Sequence, residues 1–339
     1  MRKILFAMLF VLGSTLSLYA QGCSARLKFR DNGEFRIMQV TDCHYKYGKS
    51  ASETCVRMLN TVLDTEDVDL VVFTGDNVYS DNVREGLKAI LAPVEKRNIP
   101  FVALFGNHDC QFDMEQDLQW DFFRTYPNNV QPDRPSGCTY PDFVLPLYAS
   151  KGGKVSQLVY CLDSHAAYRI RAISRYDWIH YDQIAWYRQQ SRRFTRENGG
   201  IPLPAVAFFH IALPEFAEAF DYFSGGKKMK TGVPGVVGEK GENVCCPKLN
   251  SGLFKSMLEC GDVRGVFCGH DHDNDYALVW KNIMLAYGRY SGGNTVYNNI
   301  GKNGVRMIVL HEGTKNMDTY IRLNDGSLIN YCKYPADFK

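Results

Sequence analysis

Five polar clusters, each placed directly behind a short apolar run, constrain the fold of this chain more than any other sequence feature. The clusters begin at Thr41, Gly75, Gly106, His210 and Gly269. In a layered α/β sheet, the functional loops follow the ends of the strands. The pattern therefore predicts a sheet protein in which several strand ends contribute to one polar site.

Short strand-like runs alternate with helical patterns along most of the chain. Strands are predicted at Phe35 to Val40, Leu70 to Thr74, Phe101 to Phe105, Leu158 to Leu162, Ala205 to Phe209, Val263 to Cys268, Ile283 to Tyr287, Val305 to Leu310 and Thr319 to Leu323. Helices are predicted at Ser52 to Leu63, Val83 to Arg97, Asp182 to Thr195 and Ser251 to Cys260, with another near Met114 to Tyr126. This layout is typical of an α/β fold or a layered α/β/β/α fold rather than of a bundle or a pure sandwich.

The first twenty residues resemble an export signal. Met-Arg-Lys gives a basic start, Ile4 to Leu18 is almost entirely apolar, and Ala20 is a small residue at the cleavage point. We expect a signal peptide over residues 1–20 and an exported, periplasmic or secreted protein. An uncleaved membrane anchor and lipid attachment at Cys23 are the alternatives. No later stretch approaches the length of a membrane span, so no transmembrane segment is expected after the signal.

Residues 21–339 are expected to form a single domain. Pro, Asn, Gly and Asp dominate the region near 112–156, which predicts a surface insertion there, and Gly225 to Pro247 has a similar loop-like composition. Lys and Arg number 39 against 37 Asp and Glu, so the chain is close to neutral. This balance argues against nucleic-acid binding.

The cysteine content suggests disulfides in an exported chain, although the count of 11 is odd. At least one thiol is therefore unpaired or bonded outside the chain. Cys245 and Cys246 are adjacent. They could form a vicinal disulfide or bond to separate partners.

The first two clusters carry residue types that bind metal ions. Asp42 and His44 stand two residues apart behind a strand, so both side chains can turn to one ion. Asp76 follows a glycine, and one carboxylate can bridge two cations. Taken singly, each cluster fits a hydrogen-bonded loop or a capped turn equally well.

Each of the other three clusters contains at least one histidine, which can bind a metal ion or transfer a proton. Asn107, His108 and Asp109 bring an amide, an imidazole and a carboxylate together behind one glycine, which a surface turn does not need. His210 stands alone after its apolar run, and such a histidine is more often structural than functional. In the last cluster, alternate side chains from His270 to His272 can serve two neighbouring metals.

Two other acidic patterns are interpreted differently. Asp271, Asp273 and Asp275 have the spacing of a calcium loop, but the glycine and glutamate that such a loop requires are missing. Asp163 and His165 repeat the Asp-x-His pattern without a glycine turn, so a structural role is expected for them. The sequence also lacks the motifs of nucleotide-loop NTPases, zincins and serine hydrolases.

The order DxH, GDN, GNHD, isolated His and GHDH resembles the calcineurin-like metallophosphoesterases, a superfamily that includes the purple acid phosphatases. Further segments resemble the purple-acid-phosphatase-related branch, namely Tyr176-Asp177-Trp178-Ile179, Trp186-Tyr187, Leu213-Pro214-Glu215-Phe216, Asn250-Ser251-Gly252-Leu253-Phe254 and Gly288-Arg289. The resemblance covers most of the chain after the signal. It implies an α/β/β/α sandwich of two mixed sheets flanked by helices.

The same resemblance implies a binuclear centre of divalent or trivalent Fe, Mn, Zn or Ni. One metal would be held by Asp42, His44, Asp76 and His272, and the other by Asp76, Asn107, His210 and His270. A hydroxide bridging the ions would attack phosphorus directly. His108 would donate to a phosphoryl oxygen or protonate the leaving group, and Asp109 would orient His108.

The first motif departs from the purple acid phosphatases, which typically pair DxG with GDxxY and use the tyrosine as an iron ligand. Here His44 stands in the first motif while Tyr79 is kept in the second. We expect His44 to be the ligand and Tyr79 to be a core or pocket-wall ring.

The expected function is hydrolysis of a small phosphorylated substrate, with phosphomonoesters favoured. Phosphodiesters, nucleotides and phospholipid head groups are the alternative substrates for the same site. A non-catalytic metal-dependent binding protein is a different class of hypothesis. The presence of His108 beside all seven ligands argues against it, because a purely structural site does not need that imidazole.

Overall fold

Two mixed β-sheets pack face to face between helical layers in a computed structural model that describes residues 26–133 and 141–338. The predicted signal peptide and Cys23 lie outside these residues. Within the described ranges, no helix has the length and apolar character needed to cross a membrane. The predicted α/β/β/α fold class is confirmed.

The described residues form thirteen strands and six α-helices. The strands are β1 (Glu34–Val40), β2 (Leu70–Thr74), β3 (Phe101–Leu104), β4 (Phe143–Tyr148), β5 (Val155–Cys161), β6 (Ala205–Phe208), β7 (Val236–Val237), β8 (Val263–Cys268), β9 (Ala277–Trp280), β10 (Ile283–Tyr287), β11 (Gly304–His311), β12 (Met317–Leu323) and β13 (Leu328–Tyr334). The helices are α1 (Glu53–Thr65), α2 (Val83–Lys96), α3 (Gln116–Phe123), α4 (Tyr181–Glu197), α5 (Pro214–Ser224) and α6 (Leu253–Cys260).

Parallel strands occupy one side of the first sheet and the centre of the second. The first sheet has the order β13-β12-β11-β1-β2-β3, in which β1, β2 and β3 run parallel and the other neighbours are antiparallel. The second sheet has the order β4-β5-β6-β8-β10-β9-β7, in which β5, β6, β8 and β10 run parallel. The polar clusters follow β1, β2 and β3 in one sheet and β6 and β8 in the other.

Alternation along β6 shows how the layers are built. Ala205 and Ala207 pack into the hydrophobic cluster that contains the buried residues of α4, α5 and α6. Val206 and Phe208 pack into the other cluster, which holds residues of both sheets together with α1 and α2. Since successive side chains of a strand point to opposite faces, the second sheet contacts helices on one face and the first sheet on the other.

The region near 112–156 differs from the predicted surface insertion, because part of it belongs to the second sheet. It contains α3 and β4, and β4 pairs antiparallel with β5. Pro146 lies within β4, and a proline is accommodated there because β4 is an edge strand. The sequence of β4, which contains a proline, was therefore mistaken for part of a loop.

Some other elements also differ from the sequence-based expectations. The helix α5 and the strands β9 and β13 were not predicted, and a two-residue strand, β7, lies within the loop-like stretch 225–247. The nine cysteines in the described ranges all have free thiols, so the expected disulfides are not found among these residues.

Candidate metal centre

The loops that follow the parallel strands are tied to one another by backbone hydrogen bonds. In the first sheet, the Asp42 N–H donates to the Gly75 carbonyl at 3.1 Å and the His44 N–H donates to the Asp76 carbonyl at 2.9 Å. In the second sheet, the Gly269 N–H donates to the His210 carbonyl at 3.0 Å. These bonds fix the spacing of the predicted ligands before any ion is considered.

Four of the predicted ligands adopt the left-handed backbone conformation, which is uncommon for residues other than glycine. The φ angles are 53° at Asp42, 39° at His44, 51° at Asp76 and 76° at His270. Such conformations cost on the order of 1–3 kcal/mol each and persist where the surrounding structure enforces them, which is common at functional sites.

Glycine is required where the loops after β2 and β3 approach each other. A Cβ on Gly106 would lie 2.2 Å from Oδ1 of Asp76. Gly75 has a φ of +95°, and a Cβ there would lie 2.4 Å from the Gly106 nitrogen. The two glycines therefore allow Asp76 to sit between the strand ends.

The structure brings six predicted ligands together as two buried groups. One group consists of Asp42, His44 and His272, and the other of Asp76, His210 and His270. Within each group the potential ligand atoms lie within 4.8 Å of one another. This grouping follows the allocation that the family resemblance implied.

Asp76 connects the two groups. Its Oδ2 lies 3.3 Å from Nε2 of His44 and 3.3 Å from Nε2 of His210. Its Oδ1 is occupied, because it accepts a hydrogen bond from the His108 N–H at 2.8 Å. One carboxylate oxygen thus faces both histidines, as a bridging ligand would.

Several potential ligand atoms are buried without a hydrogen-bond partner. They are Oδ1 of Asn107, Nε2 of His210 and Nε2 of His270. An unpaired polar atom in a protein interior carries a desolvation cost of about 1–3 kcal/mol. Three such atoms in one place, among carboxylate and imidazole donors, fit a site for two transition-metal ions.

Backbone carbonyls fix the ring orientation of two histidines. Nδ1 of His210 donates to the Thr74 carbonyl at 2.9 Å, and Nδ1 of His272 donates to the Tyr297 carbonyl at 2.9 Å. Because a carbonyl oxygen can only accept, the neutral form of each ring has its lone pair on Nε2. Those are the nitrogens that face the carboxylates.

The charges of this site are strongly coupled. Burial acts to raise the pKa of Asp76, but the charges of His210 and His44 and their hydrogen bonds together outweigh it and hold that pKa well below its usual range. Burial likewise acts to lower the pKa of His210, while the carboxylate of Asp76 raises it to about 10. Burial and then the charge of His210 lower the pKa of His270 to about 3. The positive charge of His210 and the negative charge of Asp76 therefore favour each other in the site without ions.

His108 stands beside the metal ligands rather than among them. Its ring lies edge-on to that of His44, with centroids 5.5 Å apart, and it lines the same cavity as Asp76. Nδ1 of His108 is 2.8 Å from Oε1 of Gln111. Gln111 was not identified as a site residue in the sequence, although it lies only three residues after His108.

Asp109 does not orient His108, and this prediction was wrong. Its buried carboxylate accepts hydrogen bonds from the backbone N–H groups of Gly106, Asp76 and Asn77 at 2.7, 2.8 and 2.8 Å. Burial and the charge of Asp76 raise the pKa of Asp109 to about 7. Asp109 holds together the two loops that carry Asp76 and Asn107.

Tyr79 packs against the site through its ring. The ring centroid is 5.3 Å from that of His44 and 4.8 Å from that of His108, in edge-to-face geometry. The ammonium group of Lys46 lies 4.9 Å from the centroid of the same ring. His44, in contrast, belongs to the group with Asp42 and His272. The choice of His44 rather than Tyr79 as a ligand stays a prediction.

The second Asp-x-His pair lies outside both metal groups. Asp163 accepts hydrogen bonds from the His165 N–H at 2.8 Å and from Gln116 at 2.9 Å. His165 contacts Gln183 at 2.7 Å and stacks on His180 at 4.4 Å between centroids. These contacts account for the pair as structural residues.

The calcium-like aspartates are bonded individually to protein groups. Asp271 accepts from the Tyr287 hydroxyl at 2.6 Å, and Asp275 pairs with Arg289 at 2.8 Å. Asp271 also lies near Glu242 and Cys245 as a third group of potential ligands. The carboxylates of Glu242 and Asp271 already accept hydrogen bonds from protein donors, so we assign no ion to this third group.

A cavity of 330 Å³ opens above the metal ligands. Asp76, Asn107, His270 and His272 form part of its wall. His108 and Tyr176, both in segments already noted in the sequence, also line it, together with Arg171, Arg175 and Tyr297, which no motif revealed. The last three lie in loops without a recognisable pattern, so only their position in the folded chain identifies them.

Comparison with known proteins decides the family. Residues 35–274 match the calcineurin-like phosphoesterase family over more than half of the chain. The chain belongs to this family. The family membership that the order of the motifs predicted is therefore confirmed.

Its relatives include a plant and a yeast protein. The Arabidopsis thaliana protein named "Probable inactive purple acid phosphatase 29" is 31% identical over 350 residues, covering 89% of this chain and 86% of the plant protein. "Phosphatase DCR2" of Saccharomyces cerevisiae is 29% identical, covering 88% of this chain and 55% of the yeast protein. Among solved structures, a dimetal phosphatase from Danio rerio has the same fold, with a TM-score of 0.57 and 11% identity over 88% of this chain and 98% of that chain.

Proposed function

We propose that this phosphoesterase-family chain hydrolyses phosphate monoesters at a two-metal site. The observation that supports this most strongly is the position of Asp76 Oδ2, 3.3 Å from a histidine of each group, among buried ligand atoms without partners. Asp42, His44, Asp76 and His272 would hold one ion, and Asp76, Asn107, His210 and His270 the other. When bound, two such ions activate water and neutralise charge on phosphoryl oxygens.

His108 supplies the acid in this proposal. With Nδ1 held by the Gln111 side-chain oxygen at 2.8 Å, a protonated His108 carries its second proton on Nε2. Because His108 lines the cavity beside Asn107, that proton can pass to the leaving oxygen of an ester. The proposed order is binding of the phosphate, attack of water on phosphorus as the bond to the leaving oxygen breaks, and protonation of that oxygen by His108.

The names of the relatives disagree about enzymatic activity. The plant relative is named as inactive, whereas the yeast relative is named as a phosphatase. This chain has all seven predicted ligands, and six of them form two buried groups. Asn107 and His108 line the same cavity. A metal site used only for stability does not need His108 there, so hydrolysis is favoured over non-catalytic binding.

We also propose that the protein is exported and that residues 21–339 form one domain. The basic start, the apolar stretch and the small residue at position 20 support export. Phosphodiesters, nucleotides and phospholipid head groups remain the alternative substrates. The preference for monoesters rests on the resemblance to the purple-acid-phosphatase-related branch.

The test is metal analysis of residues 21–339 combined with a panel of mono- and diester substrates. We expect two ions per chain and faster hydrolysis of monoesters. His270→Ala should lose metal and activity, whereas His165→Ala, which removes a histidine outside both groups, should keep both. A metal-loaded chain that hydrolyses no ester would refute the proposal, and faster cleavage of diesters would refute its substrate preference.

A further inference from the structure

Two arginines, Arg171 and Arg175, line the cavity together with the predicted metal ligands. Both side chains are exposed, and neither forms an ion pair within residues 26–133 and 141–338. Elsewhere in these ranges many arginines are paired, for example Arg289 with Asp275. Two uncompensated cations on the wall of one cavity favour an anionic ligand.

The loop that carries these arginines has a defined backbone. Ala167 and Tyr176 form an antiparallel bridge, and the Tyr168 N–H donates to the Arg175 carbonyl at 3.1 Å. Ser174 is buried, and its hydroxyl donates to the Tyr176 carbonyl at 2.6 Å. This loop therefore presents Arg175 from an ordered backbone, which lowers the entropy lost when a ligand binds.

Arg175 is further placed by an aromatic contact. Its guanidinium lies 5.2 Å from the centroid of the buried Tyr176 ring, and that ring packs edge-on against His270 at 4.6 Å. A guanidinium stacked on an aromatic face keeps its N–H donors available for a phosphate. The Tyr176 ring therefore contacts both Arg175, on the wall of the cavity, and His270, a predicted metal ligand.

The cavity is larger than one phosphate needs. Its 330 Å³ falls within the range of about 300–1,000 Å³ that is typical of small-molecule sites. The only acidic side chain on the wall apart from Asp76 is that of Glu242, among the described residues, and it accepts hydrogen bonds from Asp273 and Tyr297.

We propose that Arg171 and Arg175 form a second anion subsite, so that the preferred substrate carries a second phosphate group beyond the one that is hydrolysed. This inference rests on the proposed function, since the first phosphate is assumed to bind at the metals. Guanidinium groups recognise phosphate through paired hydrogen bonds. The substrate class is therefore a small bisphosphorylated or diphosphate-bearing metabolite.

The subsite is tested by binding, without turnover. The metal-loaded chain is titrated calorimetrically with propylphosphonate and with a propane that carries one phosphonate at each end. We expect the bisphosphonate to bind at least about tenfold more tightly to the wild type. In Arg171→Gln/Arg175→Gln, bisphosphonate affinity should fall roughly tenfold or more, while propylphosphonate affinity stays within about threefold.

Arg169→Gln is the matched control, because Arg169 lies in the same loop and is exposed but does not line the cavity. It should bind both ligands as the wild type does. Equal losses for both ligands in the double variant would assign the arginines to the first phosphate and refute the subsite. Equal affinity of the wild type for the two ligands would also refute it. Failure of the wild type to bind either phosphonate would instead overturn the proposed function.

Discussion

Replacing Asp76 by Asn removes one charge from the centre of the site and changes little else. The amide has nearly the shape of the carboxylate, and its oxygen can still accept the His108 N–H that Oδ1 accepts at 2.8 Å. What is lost is the negative oxygen that lies 3.3 Å from both His44 and His210. The substitution therefore tests the bridging role of Asp76 rather than the packing around it.

The size of the effect follows from the burial of Asp76, which is 1% exposed. Removing one partner from a buried charge pair costs about 3–5 kcal/mol. Since about 1.4 kcal/mol corresponds to a factor of ten, metal affinity should fall by roughly 10²- to 10⁴-fold. Hydrolysis should fall together with metal content, because the second ion loses its shared ligand.

The assay is elemental analysis after dialysis, combined with a metal titration in the presence of a competing chelator. Asp163→Asn is the control, because Asp163 is also a buried aspartate of an Asp-x-His pair but lies outside both metal groups. It should retain two ions and full turnover. An Asp76→Asn protein with two ions and normal turnover would refute the assignment of Asp76 as a bridging ligand.

Three further outcomes are expected. His108→Ala should keep both ions but lose roughly 10² to 10⁴ in rate, and less with nitrophenyl phosphate, which a rate comparison would show. His44→Ala should lose metal while Tyr79→Phe keeps it, and the protein should be colourless or pale in its absorption spectrum. Because the pKa of His210 is raised to about 10, its charged form stabilises the ion-free fold fully below about pH 6.5, and this stability is lost as the pH rises through about 10. Metal binding at pH 7 should thus release a proton, measurable by calorimetry in buffers of different ionisation enthalpy.

The predicted ligands were readable in the sequence because they directly follow strands. Val40, Thr74 and Cys268 end apolar strands, and the polar residues come immediately after them. Parallel strands of one sheet end at the same edge, so residues far apart in the chain become neighbours. Strand position, rather than any single motif, brought the ligands together.

The role of Asp109 could not be read in the same way. Its partners are backbone N–H groups, which every residue except proline carries, so no residue type marks them. The arginines of the cavity wall were missed for a related reason. Arg171 and Arg175 lie in a loop whose shape depends on the pairing of Ala167 with Tyr176 in the folded chain. Their position beside the site follows from that shape.

The two metal groups each combine residues from both sheets. His272 follows a strand of the second sheet but joins Asp42 and His44, which follow a strand of the first. Nδ1 of His210, in the second sheet, is fixed by the carbonyl of Thr74, in the first. The geometry of each group therefore depends on how the two sheets pack. That packing is set by apolar side chains that are not themselves ligands, such as Val206 and Phe208 in the shared core. The motifs identify the ligands, whereas the core between the sheets determines the distances between them.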